Sequence, residues 1–523
     1  GVNCAVCTFG IVLVEQLAEV HSTEVSQILD NICGWLPVEF QPTCTQIIDT
    51  YGPTIIKLLD QRLNADEICL SMKVCTNATC HLLVEKPSLN NIQNVKVPEL
   101  AVKLQIKLAD PTEYPWQKVA DHKPFFDFDN DDYSTAETLR GYDWRGKDCD
   151  DFDHNIHPGR QATDFSPWID HNCNGIYGVE PVSGKSYEEL LCSDTPQYGV
   201  INLGDSATAH FHIPEEWINP LLINNQSFAN MLEILENELD WPHLSSGTGF
   251  VESSSWVGAP NGPMDSSYLR YRDINRCMHR DYQNVGVNGA RSSSMANTIM
   301  QTLARDQLND FPVLLTYALI GNDVCNGHPG TDHMTTPEEM YDNVMRTLQY
   351  LDTVLPKGSH VSIMGLVDGR ILYDSMGTRI YPAASVDRDI TYSTFYDFLD
   401  CLEVSPCWGW TNSDEYWRNV TTERAFELND VLQGIVENNT FVNFDMAYFD
   451  CPLDEVVNVW AAQGGESWQL IEPVDGFHPN QLANALTTQV IFEQAAKMYP
   501  WLIPPTNPHN AQIIEKFGNQ GGH

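Results

Sequence analysis

The sequence predicts a small disulfide-stapled all-α domain followed by a three-layer α/β domain that carries a cation-binding insertion. In residues 1–80, apolar residues recur at helical spacing in four or five short segments, with six cysteines between positions 4 and 75 and a seventh at position 80. In residues 125–500, strand-like apolar runs alternate with helical patterns, which is typical of a mainly parallel sheet between helices. At the start of this region, residues 121–153 contain 11 Asp and Glu against 4 Lys and Arg; a run this acidic is either solvated or holds cations.

These patterns divide the chain into four segments. The segments are a helical unit (residues 1–80), a connector (residues 81–124), an acidic segment (residues 125–180) and an α/β domain (residues 181–523). The connector contains ELAVKLQIKLAD, whose alternation predicts one half-buried strand between exposed flanks that are open to proteolytic processing. The runs that predict strands of the α/β domain lie at 199–203, 313–320, 360–366 and 441–445.

The composition restricts the class of partner. The formal net charge is −42, which argues against nucleic acid as a general partner because phosphate binding requires basic patches. It also argues against non-specific adsorption to anionic membranes. Hydrophobic residues make up 42% of the 523 residues, so the chain can build a large packed core.

Cysteine usage predicts an oxidising compartment, because fifteen cysteines without zinc-finger spacing are typical of disulfides. The candidate glycosylation sites that agree with secretion are Asn77, Asn225, Asn419 and Asn438. No stretch is expected to span a bilayer, and Gly1 lies just before a cysteine, as though a targeting segment had been removed. We therefore expect a protein that is secreted or lies in the lumen of the secretory or endolysosomal system.

The six cysteines from Cys4 to Cys75 form a Cys-x-x-Cys opening, a central pair and a closing pair. Together with the helical patterns, such as CAVCTFGIVLVEQLAEV, this order resembles the saposin-like domains. The pairs that the resemblance implies are Cys4–Cys75, Cys7–Cys69 and Cys33–Cys44. It also implies that an apolar face of this domain handles lipid. The alternative is a stapled helical domain without a ligand.

The acidic segment contains three strings in which oxygen-bearing residues alternate, DFDNDDY, DCDDFDHN and DHNCNGIYGVE. Alternation at positions 1, 3, 5 and 7 matches the start of a calcium loop, and an all-oxygen set favours a hard dication. The strings resemble thrombospondin type 3 and related bacterial calcium repeats. The candidate ligands are Asp127, Asp129, Asp131, the Tyr133 carbonyl, Asp148, Asp150, Asp151, Asp153, Asn155, Asp170, Asn172, Asn174, the Ile176 carbonyl and Glu180. We expect structural calcium and a Cys149–Cys173 disulfide; the alternative is a solvated acidic loop.

The candidate catalytic residues follow apolar runs. Ser206 ends the run VINLGDS, and Asn322 lies in LIGND after another apolar run. Gly289 lies in NVGVNGARS, and VDGFHPN carries Asp475 and His478. A serine hydroxyl is a weak nucleophile that needs an imidazole base, a carboxylate to orient the imidazole, and donors for the oxyanion.

This set, in this order, resembles the GDSL lipases, also called SGNH hydrolases, over residues 198–500. The resemblance implies Ser206 as nucleophile, His478 as base and Asp475 as orienting acid. It implies an oxyanion hole formed by the N–H groups of Ser206 and Gly289 and by the Asn322 side chain. Two departures are Ala207, where the family motif has Leu, and Gly321, which directly precedes Asn322. The neighbouring residues His210 and His212 are expected to lie at the surface or to line the pocket.

A saposin-like domain, an acidic insertion and a GDSL-type hydrolase in this order resemble the acyloxyacyl hydrolase family. Those animal enzymes remove secondary fatty acyl chains from the lipid A of bacterial lipopolysaccharide. The resemblance implies peripheral contact with lipid aggregates and two subunits, cut in the connector and joined by a disulfide. Cys80 is a candidate for that bridge, with Cys451 as one candidate partner, and the odd cysteine count leaves one thiol over.

Residue chemistry alone reaches only a carboxylic ester hydrolase that acts on lipid. A secreted phospholipase or lysophospholipase with the same triad is the alternative enzyme. A non-catalytic lipid-binding or calcium-dependent adhesion protein is the alternative class, against which the complete Ser, His and Asp set argues. We also expect the saposin-like domain to flank the catalytic mouth and to shelter acyl chains, since each CH₂ drawn into water costs about 0.8 kcal/mol.

Overall fold

The computed structural model describes residues 1–83, 121–161, 166–251 and 257–523. The strand predicted at residues 99–110 of the connector lies outside the described residues.

The N-terminal domain is built from helices that three disulfides tie together. Its helices are α1 (Val2–Val20), α2 (Val25–Ile32), α3 (Gln41–Asp60) and α4 (Ala65–Ser71). The bonds formed are Cys4–Cys75, Cys7–Cys69 and Cys33–Cys44, the pairs that the saposin resemblance implies. Helix α4 begins with a capping box, in which Asn64 accepts from the Glu67 N–H and Glu67 accepts from the Asn64 N–H.

Helix α1 is long and apolar enough to cross a membrane, a test that no other helix passes in the part of the chain that the structure describes. The expectation that no stretch is long and apolar enough to span a bilayer therefore fails for α1, by length and composition alone. However, α1 forms disulfides through Cys4 and Cys7, and buried α1 residues such as Ile11 and Leu17 belong to apolar clusters. These contacts account for its apolar character within a folded domain.

The larger domain contains a parallel five-stranded sheet. Its strands are β1 (Gly199–Gly204), β2 (Tyr282–Gly286), β3 (Val313–Ala318), β4 (Ser359–Met364) and β5 (Phe444–Phe449), in the order β2-β1-β3-β4-β5. Strand β1 pairs with β2 on one side and β3 on the other, so Gly204 lies opposite both Gly286 and Ala318. The strand order reverses here, which places a binding crevice at the carboxyl ends of β1 and its neighbours.

The remaining helices flank this sheet and extend the domain. They are α5 (Tyr187–Cys192), α6 (Ser206–Ala209), α7 (Met231–Glu236), α8 (Ser267–Ile274), α9 (Ser292–Asn297), α10 (Pro337–Val354), α11 (Arg370–Met376), α12 (Tyr392–Cys401), α13 (Glu415–Asn438), α14 (Leu453–Ala462), α15 (Gln481–Met498) and α16 (Asn510–Phe517). Alternate strand residues face opposite helical layers. Val200 and Leu314 share a buried cluster with residues of α8 and α15. Ile201 and Leu315 share another with residues of α10 and α13, which gives the predicted three layers.

Further disulfides fix the larger domain and join it to the first. They are Cys80–Cys401, Cys149–Cys173, Cys192–Cys277 and Cys325–Cys407. The Cys149–Cys173 pair forms as expected. The candidate partner of Cys80 was wrong: Cys80 bonds Cys401 at the end of α12, while Cys451 follows β5 and is a free thiol.

Candidate active site

The nucleophile candidate lies in a sharp strand-to-helix turn. Strand β1 ends at Gly204, and the single-turn helix α6 begins at Ser206. Between them, one carboxylate oxygen of Asp205 accepts from the Ala207 N–H at 3.0 Å, and the other accepts from the Ile320 N–H at 2.9 Å. Burial raises the Asp205 pKa to about 6. Asp205 therefore ties the serine turn to the end of neighbouring β3.

The candidate base and acid approach this serine from the loop before α15. His478 Nε2 lies 2.7 Å from Ser206 Oγ, and His478 Nδ1 lies 2.5 Å from Asp475 Oδ2. The other Asp475 oxygen accepts from the N–H groups of Phe477 and His478, at 2.8 and 3.1 Å. The carboxylate is thereby fixed against the imidazole. With the ring proton on Nδ1, Nε2 can accept the serine proton.

The electrostatics around His478 favour its protonated form. Burial lowers the pKa of His478, but the charge and hydrogen bond of Asp475 raise it, as do the charges of Asp205 and Glu472, and the net direction is upward. An imidazolium formed during nucleophilic attack is therefore stabilised in this position.

Besides the His478–Asp475 pair, a buried histidine–glutamate pair borders the triad. The sequence analysis missed it. His212 Nδ1 lies 2.6 Å from Glu472 Oε2, and the Glu472 N–H donates to the His478 carbonyl at 2.8 Å. This pair joins the segment after α6 to the loop of the base. His210 is also buried, and burial together with the neighbouring His212 lowers its pKa to about 3. Neither histidine lines the pocket or lies at the surface, so that expectation was wrong.

The oxyanion candidates are only partly brought together. Ser206 is the first residue of α6, so its N–H has no acceptor within the helix. Asn322, in the loop after β3, lines the same pocket as Ser206 and His478. Gly289 lies in the exposed loop after β2 with φ +73° and is not among the pocket-lining residues.

Ser206 and His478 open onto an apolar cavity of about 170 Å³. Its walls include Met364, Trp410 and Leu453, and its lining residues all lie between positions 202 and 491. The apolar space beside the serine thus belongs to the larger domain. The N-terminal domain, which we expected to shelter the acyl chain, contributes none of the lining residues among those described.

Carboxylate oxygens of the acidic segment lie close to one another, and several of them have no hydrogen-bond partner. Ligand oxygens of Asp127, Asp129 and Asp151 lie within 4.8 Å of one another, and so do those of Asp129, Asp131 and Asp148. Buried oxygens of Asp129, Asp131 and Asp148 have no hydrogen-bond partner. Burial raises the pKa of Asp131 to about 8 and that of Asp148 to about 7. Orphaned, crowded carboxylate oxygens fit a hard divalent cation.

The third string forms a separate cluster with a residue that the sequence analysis missed. Glu188 of α5 is half-buried, and the side-chain amides of Asn172 and Asn174 donate to it at 3.1 Å. Asp170 Oδ1 is buried without a partner. Glu180, the predicted fourth acid, instead accepts from the N–H groups of its own turn. Glu188 lies outside the string, so spacing gave no signal for it.

The other predicted ligands and the sequons are at or near the surface. Asp150 and Asp153 are exposed and belong to none of the converging groups found in the described ranges, and Asn155 donates to Asp153. Tyr133 and Ile176, whose carbonyls are also candidate ligands, lie outside helices and strands, within the first and third strings. Of the sequons, Asn77, Asn225 and Asn438 are exposed, whereas Asn419 lies half-buried in α13 and accepts from Arg370.

Comparison with known proteins accounts for nearly the whole chain. A saposin-like domain model matches residues 3–104, and a GDSL-like lipase/acylhydrolase model matches residues 200–491. The chain is 41% identical to the acyloxyacyl hydrolase of Mus musculus over 547 positions, which cover 100% of this chain and 94% of the mouse protein. The chain belongs to the acyloxyacyl hydrolase family.

This member of the acyloxyacyl hydrolase family is equally similar to the acyloxyacyl hydrolase of Homo sapiens, at 41% identity over 100% of this chain and 94% of the human protein. Its first domain is 30% identical to saposin-C of Cavia porcellus over 76 residues, which are 14% of this chain and 94% of saposin-C. The chain is therefore an ester hydrolase of lipids with an attached saposin-like domain that interacts with lipid.

Proposed function

We propose that this enzyme removes secondary, acyloxyacyl-linked fatty acyl chains from the lipid A of bacterial lipopolysaccharide. The observation that carries the proposal is the hydrogen-bonded series Ser206, His478 and Asp475, which opens onto an apolar cavity. Full-length similarity to proteins named acyloxyacyl hydrolase supports this substrate over a phospholipid.

In the proposed reaction, His478 takes the proton of Ser206 as the oxygen attacks the ester carbonyl. The oxyanion accepts from the Ser206 N–H and the Asn322 amide, with the Gly289 N–H as the third candidate donor. As the ester C–O bond breaks, His478 gives its proton to the departing oxygen of the primary acyl chain, which leaves as a hydroxyl. Water activated by the same imidazole hydrolyses the acyl-enzyme, and Asp475 stabilises the imidazolium in both steps.

The acidic segment is proposed to hold structural calcium. Its converging carboxylate oxygens support two neighbouring calcium positions. The ligands would be Asp127, Asp129 and Asp151 at one and Asp129, Asp131 and Asp148 at the other. A further ion would lie among Asp170, Asn172, Asn174 and Glu188, after rotation of the two amides so that their oxygens face it. The ions would offset the repulsion among these buried carboxylates and would take no part in the chemistry.

The Cys80–Cys401 bond supports a two-subunit form in an oxidising compartment. A cut in the connector would separate the saposin-like domain from the hydrolase, and this bond would hold the two pieces together. We propose that the mature enzyme is processed in this way and is secreted or resides in the endolysosomal lumen.

The test is mass spectrometry of the fatty acids released from lipopolysaccharide and from phospholipids, side by side. The expected result is release of secondary chains from lipopolysaccharide at the higher rate. Ser206→Ala should lower the rate by about 10⁶ while the far-UV spectrum and melting temperature stay unchanged.

Faster release from phospholipid would replace this substrate with the alternative one. A Ser206→Ala enzyme with even a tenth of the normal turnover would contradict the serine mechanism itself. No hydrolysis of either lipid or of a short nitrophenyl ester by the unsubstituted protein would favour a non-catalytic lipid-binding role.

A further inference from the structure

Three tyrosine hydroxyls hold the backbone around Asp475. Tyr381 donates to the Val474 carbonyl at 2.9 Å, Tyr392 to the Pro473 carbonyl at 2.5 Å, and Tyr396 to the Gly476 carbonyl at 2.5 Å. All three tyrosines are buried. Their acceptors directly precede and follow Asp475, so the loop is fixed on both sides of the residue that orients the base.

We propose that Tyr381, Tyr392 and Tyr396, here called the tyrosine cradle, are positioning residues for the Asp475–His478 pair. In the same proposal, the saposin-like domain packs against the cradle and holds it in place. The inference rests on the proposed function, because it requires Asp475 and His478 to serve Ser206. None of the three tyrosines lines the cavity beside Ser206, so the cradle acts through the loop.

The loop fits the cradle closely. Gly476 has φ +62°, and a Cβ added there would lie 2.6 Å from the Tyr396 hydroxyl and 2.8 Å from the Tyr392 ring. Within the loop, the Gly476 N–H donates to the Glu472 carbonyl at 3.0 Å. Loss of a tyrosine hydroxyl would leave a buried carbonyl without a donor, and the loop would shift to satisfy it. Such a shift would move the carboxylate relative to His478.

The saposin-like domain contacts the cradle through α1. The ring of Phe9 lies 5.7 Å from those of both Tyr381 and Phe395, and these two stack on each other at 4.1 Å. The Gln16 side chain donates to the Ala383 carbonyl at 2.6 Å and accepts from the Val386 N–H at 3.0 Å. The Cys80–Cys401 bond joins the domain to the end of α12, the helix that carries two of the cradle tyrosines.

The first experiment replaces each cradle tyrosine with phenylalanine, which removes the hydroxyl and keeps the ring. On a short soluble ester, kcat should fall between about 10- and 100-fold with little change in KM, because alignment and not binding is lost. The matched control is Tyr282→Phe. Tyr282 is also buried, and its hydroxyl donates to the Tyr142 carbonyl at 2.7 Å. It is the first residue of β2, the edge strand opposite β5. This control should keep its kcat.

The pH profile separates positioning from a loss of stability. Asp475 raises the pKa of His478, so a displaced carboxylate should move the acidic limb of the kcat/KM profile to lower pH. The other titratable groups that face His478 are Asp205, Glu472 with its partner His212, and His210, and the variants leave all of them in place. A merely destabilised protein would keep the midpoint of the limb.

The second experiment tests the support from the saposin-like domain with Phe9→Leu in the full chain. The Phe9→Leu variant should show the same two effects as the tyrosine variants, a lower kcat and an acidic limb moved to lower pH, but both should be smaller. Val6→Ala, at an exposed position of the same helix, is its control and should change neither. An unchanged profile in Phe9→Leu would remove the domain from the proposal.

The outcomes distinguish the cradle from the proposed function. Tyr→Phe variants with the kcat and pH limb of Tyr282→Phe would overturn the cradle while Ser206→Ala remains inactive. Loss of kcat with an unmoved limb would also overturn it, because the role would then be structural. An active Ser206→Ala enzyme would overturn the proposed function whatever the tyrosine variants do.

Discussion

At the scale of single residues, Asn322 is the side chain whose role can be measured most directly. It lines the cavity with Ser206, whereas Gly289 does not. Asn322→Ala should lower kcat by about 10² to 10³ if its amide donates to the oxyanion. Asn288→Ala is a suitable control, because its amide donates to the Glu238 carbonyl from the exposed loop of Gly289. An unchanged rate in Asn322→Ala would assign the donor elsewhere.

Asp475 sets both the orientation and the proton affinity of His478. The Asp475→Asn substitution should lower kcat by about 10⁴, because the amide no longer fixes the tautomer or stabilises the imidazolium. His478 acts as a base only when neutral. Since the carboxylate raises its pKa, the substitution should move the acidic limb of kcat/KM to lower pH.

The comparison for Asp475→Asn is Asp445→Asn, which alters an exposed carboxylate 3.9 Å from His360 on β4. That variant should leave the rate and its pH profile unchanged. If the limb of Asp475→Asn stays in place, the carboxylate does not control the base.

The triad candidates could be read from the sequence because each lies in a short motif, and the motifs occur in the order of the family. The residues that support the triad could not. His212 and Glu472 are 260 positions apart, and the three cradle tyrosines are about 80 positions or more from the carbonyls that accept from them. No local spacing marks such pairs, so only the folded chain reveals them.

At the scale of elements, the predicted apolar runs cover most of β1, β3 and β4, the run at 441–445 overlaps only the first two residues of β5, and no run marks β2. Strand β2 has the sequence YQNVG, in which two polar residues interrupt the apolar pattern. Both are buried and bonded: Gln283 donates to the Ala304 carbonyl at 2.6 Å and Asn284 to the Thr208 carbonyl at 2.8 Å. Tertiary hydrogen bonds thus replace the apolar contacts on which strand prediction depends.

The acidic segment should depend on calcium for its stability. Several buried carboxylates at close range repel one another by several kcal/mol in total, and the ions would remove that repulsion. Excess chelator should therefore lower the melting temperature measured by calorimetry. Asp148→Asn should weaken this response, whereas Asp153→Asn, at an exposed position, should not. Identical melting curves with and without chelator would argue for a solvated acidic loop.

At the scale of the whole molecule, one disulfide, Cys80–Cys401, joins the two domains across the connector. A single protease cut between residues 83 and 121 should leave one band in a non-reducing gel and two after reduction, because Cys80–Cys401 spans the cut. In Cys401→Ser, the same cut should give two bands without a reductant. Two bands from the unsubstituted, non-reduced enzyme would mean that this bond does not hold the pieces together.

The Cys80–Cys401 bond also decides how the molecule would respond to a mechanical pull on its ends. The bond closes a loop over a sequence separation of 321, and β1 to β4 all lie inside that loop. Tension between residue 1 and residue 523 would cross from Cys80 to Cys401 through the sulfur atoms and bypass these strands. The load would fall instead on β5 and α15, and on the loop of Asp475 and His478 between them. A pulled molecule would therefore strain the loop of its general base first, while the backbone of β1, which presents the serine, lies outside the covalent path of the load.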